Sequence, residues 1–204
     1  EYVIICMVIF MKSINQNVES IYLIQKSKFI TKMIKVHSNN EIEPILNKLK
    51  IQYPNATHYC YAYIIDNIKR FSDDGEPSGT AGFPILNVLD NNQLNYILCV
   101  VIRYFGGIKL GAGGLVRAYT KSVTNCLELA DIYDLKECFL TKIEFSYQNQ
   151  KYIDYYLKDY NILTKQFHET IEYTLYIPCN EYQNIFEKLS NITISMSKTD
   201  KLII

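Results

Sequence analysis

All eight glycines of this 204-residue chain fall between positions 75 and 114, so the backbone's freedom to adopt unusual geometry is confined to one window. Two stretches dominate it. The first, FSDDGEPSGTAGFP, combines turn chemistry at Asp74-Gly75 and Glu76-Pro77 with Ser78 and Thr80, either of which is expected to cap a following helix. The second, GGIKLGAGG, joins an apolar run to a helical pattern. Whatever the chain folds into must place these two segments where tight turns, close backbone approach or ligand access are needed.

Around that window the periodicities are plain. IYLIQKSKFITKMIKV reads as two short strands about a Lys26-Ser27-Lys28 turn. In NEIEPILNKLKIQYP, Ile42, Ile45, Leu46 and Leu49 share one helical face that ends at Pro54. A strand follows over HYCYAYII, then a polar loop from Asp66 to Gly79, then a helix over FPILNVLDN whose first turn tolerates Pro84. LNYILCVVIRYF is a continuous apolar run of the kind a fully buried central strand requires. Beyond the second glycine stretch, Leu115, Tyr119, Val123, Cys126 and Ala130 line one face of a helix. The remainder reads as strand (138–147), helix (151–160), strand (162–167), strand (170–177), helix (181–189) and strand (192–197). That is βαββαβ, the order of a ferredoxin-like unit. The expected organisation is an amino-terminal extension over 1–17, a mixed α/β unit over 18–131 and the ferredoxin-like unit over 137–204. The apolar run EYVIICMVIFM is about half of what a membrane-spanning helix requires and is a poor signal peptide; it is given no function, and Met11-Lys12 reads as an alternative start.

The chemistry concentrates in the same window. Between Asp90 and Glu128 there is no acid, whereas Arg103, Lys109, Arg117 and Lys121 all lie inside the interval. Gly106, Gly107, Gly111, Gly113 and Gly114 stand at a strand-to-helix junction there. Bare amides, a helix amino terminus and nearby bases make an anion site, with Arg117 one turn inside the helix and Lys121 one turn further on. The segment is neither a phosphate-binding loop of the Lys-Ser or Lys-Thr type nor a dinucleotide fingerprint. Glycines that merely satisfy turns and close packing explain the same residues, and glycine count does not separate the two. Asp73, Asp74 and Glu76 are expected to order their loop, by ion pairing with nearby bases, in preference to holding a metal, since their spacing fails the EF-hand pattern. His58 is read as a hydrogen-bonded structural histidine near the window, and Cys60 and Cys99 as small core residues. No nucleophile, base and orienting acid converge in the sequence, so no catalytic residue, cofactor or metal is assigned.

Charge narrows the partners. With 21 basic and 21 acidic residues the net charge is zero, which excludes coating of DNA or membranes by bulk charge and leaves a local patch as the route to nucleic acid. Six scattered cysteines without a Cys-x-x-Cys pair argue against a zinc site or a disulfide framework and for a reducing cytoplasm.

FSDDGEPSGTAGFPILNVL and VVIRYFGGIKLGAGGLVRAY together resemble the IMPACT amino-terminal family, in particular its bacterial YigZ-like branch; KSKFIT and YPNATHYCYAY resemble the same family. The resemblance extends over nearly everything after Val18. It implies an α+β protein: a first domain like the α/β sandwich of elongation factor G domain four, and a ferredoxin-like second domain like that factor's last domain. Both kinds of domain meet RNA on ribosomes. The motif maps onto Ser72, Asp73, Asp74, Gly75, Glu76, Gly79, Thr80, Gly82, Arg103, Tyr104, Gly106, Gly107, Gly111, Gly113 and Gly114. Lys109 occupies a position that varies in the family, and Phe83 stands where a basic residue is frequent. Eukaryotic members resemble translation regulators acting through an additional amino-terminal domain, which these residues do not include, so that partner is not carried over. The resulting expectation is a cytoplasmic, translation-linked regulator that binds RNA or a ribosomal surface. The rival expectations are a nucleotide or small-phosphate enzyme and a protein-interaction module.

Overall fold

The computed structural model describes residues 11–203; the apolar run before Met11 lies outside them. The chain divides into two compact units, one ending at Asp134 and the other beginning at Leu135.

The first unit contains β1 (Lys12–Ile14), β2 (Val18–Ile24), β3 (Ser27–Lys35), α1 (Ile42–Gln52), β4 (His58–Ile65), β5 (Ile68–Ser72), α2 (Gly82–Asn91), β6 (Ile97–Tyr104), α3 (Gly111–Leu127) and β7 (Ile132–Asp134). Five strands form an antiparallel sheet in the order β2-β3-β6-β4-β5. The central place of β6 explains its unbroken apolar sequence, because both of its faces are covered. Ile97, Cys99 and Val101 pack with Phe29, Met33, Cys60 and Ala62 beneath Ile85 and Leu89 of α2 and Leu115, Tyr119, Val123 and Cys126 of α3. Leu98, Val100 and Ile102 face the other way, onto Ile42, Leu46 and Leu49 of α1. Each such aliphatic side chain contributes about 1.5–3 kcal/mol on burial, so the two faces of one strand bind the three layers together.

Four local expectations are corrected. The β2–β3 hairpin turns at Gln25-Lys26 (φ +45° and +63°), with Ile24 paired to Ser27, so Ser27 is already strand and fully buried. The loop expected from Asp66 to Gly79 contains β5, which pairs antiparallel with β4 through a two-residue turn. Helix α3 begins at Gly111, so four residues read as loop form its first turn. Lys12–Ile14, expected within an extension, pair with Ile132–Asp134.

The second unit runs β8 (Glu137–Phe145), α4 (Gln150–Tyr156), β9 (Ile162–Phe167), β10 (Ile171–Pro178), α5 (Cys179–Leu189) and β11 (Ser195–Ile203). Its sheet order, β11-β8-β10-β9, is antiparallel throughout, the ferredoxin-like arrangement. Strict alternation along β10 puts Ile171, Tyr173, Leu175 and Ile177 on the face that meets Ile153 and Leu157 together with Tyr182, Ile185 and Leu189. The chain is therefore an α+β protein. No helix among the described residues is long and apolar enough to cross a membrane.

Candidate functional site

Sheet parity decides which side chains meet. Arg103 follows Ile97, Cys99 and Val101 onto the α2/α3 face, and its register partners are Phe29 on β3 and His58 on β4. The segment after β5 then folds back over this end of the sheet.

The three carboxylates of that segment have three different tasks. Asp73 caps α2: its Oδ1 accepts from the amides of Ala81 (3.0 Å) and Gly82 (2.8 Å), and its Oδ2 from Gly79 (2.9 Å). This corrects the expectation for Ser78 and Thr80. Ser78 is exposed, and the Thr80 hydroxyl donates instead to the Pro77 carbonyl (2.6 Å). Asp74 ties the loop to β4, its Oδ2 accepting from the Tyr59 amide at 2.6 Å while its own amide donates to Ser72 Oγ at 3.2 Å. Gly75 takes φ +85°, and the His58 ring lies 3.5 Å from where a Cβ would stand.

Glu76 reaches inward, its side chain only 4% exposed. Its Oε1 accepts from Arg103 Nη1 (2.5 Å) and from the Tyr119 hydroxyl (2.8 Å). Burial, together with the adjoining Cys60 and Glu76, pushes the Tyr119 phenol well above its ordinary value, so it serves as a neutral donor. Burial likewise raises the Cys60 thiol, which is fully enclosed with the Asp73 carbonyl (3.0 Å) and the Tyr119 hydroxyl (3.2 Å) both within reach of its one proton. Arg103 lies between the rings of Phe29 and Phe105, 5.4 and 5.5 Å from its guanidinium carbon, and its buried Nε has no hydrogen-bond partner among the described residues. The carboxylates thus do not converge, and no cluster of three or more His, Cys, Asp or Glu among the described residues is arranged to hold a metal ion.

His58 completes the arrangement. Its Nδ1 lies 2.7 Å from the Asp74 carbonyl, an acceptor only, so Nδ1 carries the proton and donates. In the neutral ring Nε2 is then a free acceptor, 3.9 Å from Glu76 Oε2.

These groups floor a cleft of about 400 Å³ whose walls include Thr57, His58, Glu76, Arg103, Phe105, Lys109, Leu110, Gly111 and Ala112. The glycines divide in function. Gly106 is architectural: a Cβ there would fall 2.0 Å from the Lys26 carbonyl carbon, and its amide donates to Ser27 Oγ at 3.2 Å. Gly107 and Gly111 have nothing within 4 Å of such a Cβ, Gly113 meets only Arg117 Nη1 at 3.6 Å, and Gly114 meets Leu110 Cβ at 3.1 Å. Helix α3 begins here with no side-chain cap and no acid in its first turn. Arg117 and Lys121 are exposed further along α3 and do not line the cleft; Arg103, Lys109 and Gly111 do. The sequence places Tyr119 only as a position on the apolar face of its helix, and its link to Glu76 escaped the sequence reading. The signal was a hydroxyl on an otherwise apolar helix face, which needs a buried partner.

A helix-covered antiparallel sheet carrying a buried carboxylate–arginine pair beside a bare helix amino terminus, followed by a ferredoxin-like unit, defines a two-unit α+β protein whose first unit carries a cleft floored by that pair. Residues 25–127 match the Impact N-terminal domain. The chain is 40% identical to IMPACT family member YvyE of Bacillus subtilis (strain 168), covering 84% of this chain and 81% of that protein. It is also 40% identical to IMPACT family member YigZ of Escherichia coli (strain K12), over 51% of this chain and 53% of that one. A crystal structure of a hypothetical protein superposes with a TM-score of 0.64 at 28% identity, covering 89% of this chain and 91% of the other. The chain belongs to the IMPACT family.

Proposed function

We propose that this protein is a translation-linked regulator that binds RNA, or a phosphate-bearing ribosomal surface, at the amino end of α3. The observation that carries the reading is the uncapped first turn of α3, Gly111 to Gly114, free of acids and flanked by exposed Lys109, Arg117 and Lys121. None of these three bases is held by an ion pair among the described residues. The helix dipole, the bare amides, Lys109 and the Arg117 guanidinium, 3.6 Å from where a Gly113 Cβ would stand, favour an anion at this end. Lys121 lies one turn beyond Arg117, and the arrangement lets a chain of zero net charge present a phosphate site. The family resemblance points to translation as the setting.

Fluorescence anisotropy with a labelled RNA hairpin at two salt concentrations tests this. Arg117→Ala is expected to weaken binding by about 1–3 kcal/mol and to lower the salt slope by about one. A folded Arg117→Ala variant that binds like the parent, with an unchanged salt slope, would leave the glycine segment as architecture alone.

A further inference from the structure

The floor of the cleft holds two polar atoms, Glu76 Oε2 and His58 Nε2, that accept no hydrogen bond from the described residues. Glu76 places both of its hydrogen bonds on Oε1, so Oε2 has no hydrogen-bond donor among the described residues, although the side chain is 4% exposed. His58 Nε2 has none either: with Nδ1 donating to the Asp74 carbonyl, the neutral ring presents Nε2 as an acceptor 3.9 Å from Glu76 Oε2. Two adjoining acceptors open to the cleft and without a donor among the described residues suit a ligand that brings a hydroxyl or amine.

The other walls describe the rest of that ligand. The exposed Phe105 ring supplies a face on which a planar group can stack. Lys109 and the α3 amino end at Gly111 form a rim suited to phosphate. Among the lining residues, Glu76 against Arg103 and Lys109 leaves one net positive charge with His58 neutral, which matches one phosphodiester. A volume of about 400 Å³ suits one nucleotide. We propose that the cleft holds a single ribonucleotide of the bound RNA, its 2′-hydroxyl donating to His58 Nε2, and that this contact distinguishes RNA from DNA. This assignment rests on the RNA-binding reading above and adds to it the sugar that is read and the residue that reads it.

The test uses the full chain and two hairpins of one sequence: an all-RNA hairpin with a uridine loop, and the same hairpin with only its loop sugars 2′-deoxy. Stem, charge and bases are then constant. The parent is expected to bind the ribose loop about tenfold more tightly. His58→Asn keeps a donor near the Asp74 carbonyl and removes the acceptor at Nε2; with its fold checked by thermal melting, it is expected to bind both hairpins alike. Equal binding of the two hairpins by the parent overturns the inference, with no variant needed, while the RNA-binding reading stands. A preference that persists undiminished in folded His58→Asn also overturns it, because the hydroxyl is then read elsewhere. Binding of neither hairpin overturns the RNA reading and the inference together.

Discussion

The two units solve the problem of a buried core by different means. The first buries Ser13, Ser27, Thr31, Glu76, Thr80, Asn95, Arg103 and Ser122 among its apolar residues and contains every glycine of the chain, whereas the second, among its described residues, buries only Thr141 as a polar group and has no glycine. The second unit is a sheet with two helices packed on one face, and its strand β10 alternates strictly along its length. The first breaks local rules at one end of its sheet, where a carboxylate, a guanidinium and a phenol share the interior with Cys60 and Phe29. These departures border the cleft.

The largest expected effect tests that contrast directly. Glu76→Ala leaves the Arg103 guanidinium buried without its anion and is expected to cost about 3–5 kcal/mol in urea unfolding. A loss under about 1 kcal/mol would mean that water replaces the carboxylate, and the first unit would be less distinct from the second than its buried charges imply. Gly106→Ala is expected to cost about 3 kcal/mol, because its Cβ would meet the Lys26 backbone, which cannot rotate away as a side chain can. Retained stability by thermal melting would show that the β2–β3 turn yields, and would return Gly106 to the group of glycines open to ligand. The smallest effect belongs to the second unit. Thr141 is fully buried, but its hydroxyl makes a single bond to the Phe139 carbonyl two residues away (3.3 Å), so Thr141→Val should change stability by no more than about 1 kcal/mol. A larger loss would give the second unit a polar dependence comparable to the first.

Elements whose residues carry their own signal were legible without a structure. The β6 run, the α1 face of Ile42, Leu46 and Leu49, and the order from β8 to β11 are read from the residues, and the α+β class is implied by the family resemblance. Strand β5 did not, because Ile68–Phe71 are all exposed and show no alternation; only pairing with β4 makes them a strand. The start of α3 was hidden because glycine propensity argues against helix, and packing of Leu115 and Tyr119 outweighs it. The cap of α2 was assigned to the nearest hydroxyls, whereas Asp73 supplies it from nine residues before Gly82.

The family motif points to the segments that line the cleft, and of the four bases in the acid-free interval Arg103 and Lys109 line it while Arg117 and Lys121 do not. What the sequence left open was which of those residues meet. Glu76 and Arg103 are 27 residues apart, and Glu76 and Tyr119 are 43 apart. Their contact depends on β6 lying beside β4 with Arg103 opposite His58, and on α3 crossing that same face. Local periodicity fixes the direction each side chain takes from its own element, but strand order and register decide which distant elements those side chains face. For that reason the glycines and bases were visible as a group, while their division into Gly106 as packing, Arg103 as a buried ion-pair partner and Lys109 with Gly111 as the cleft's rim required the folded chain.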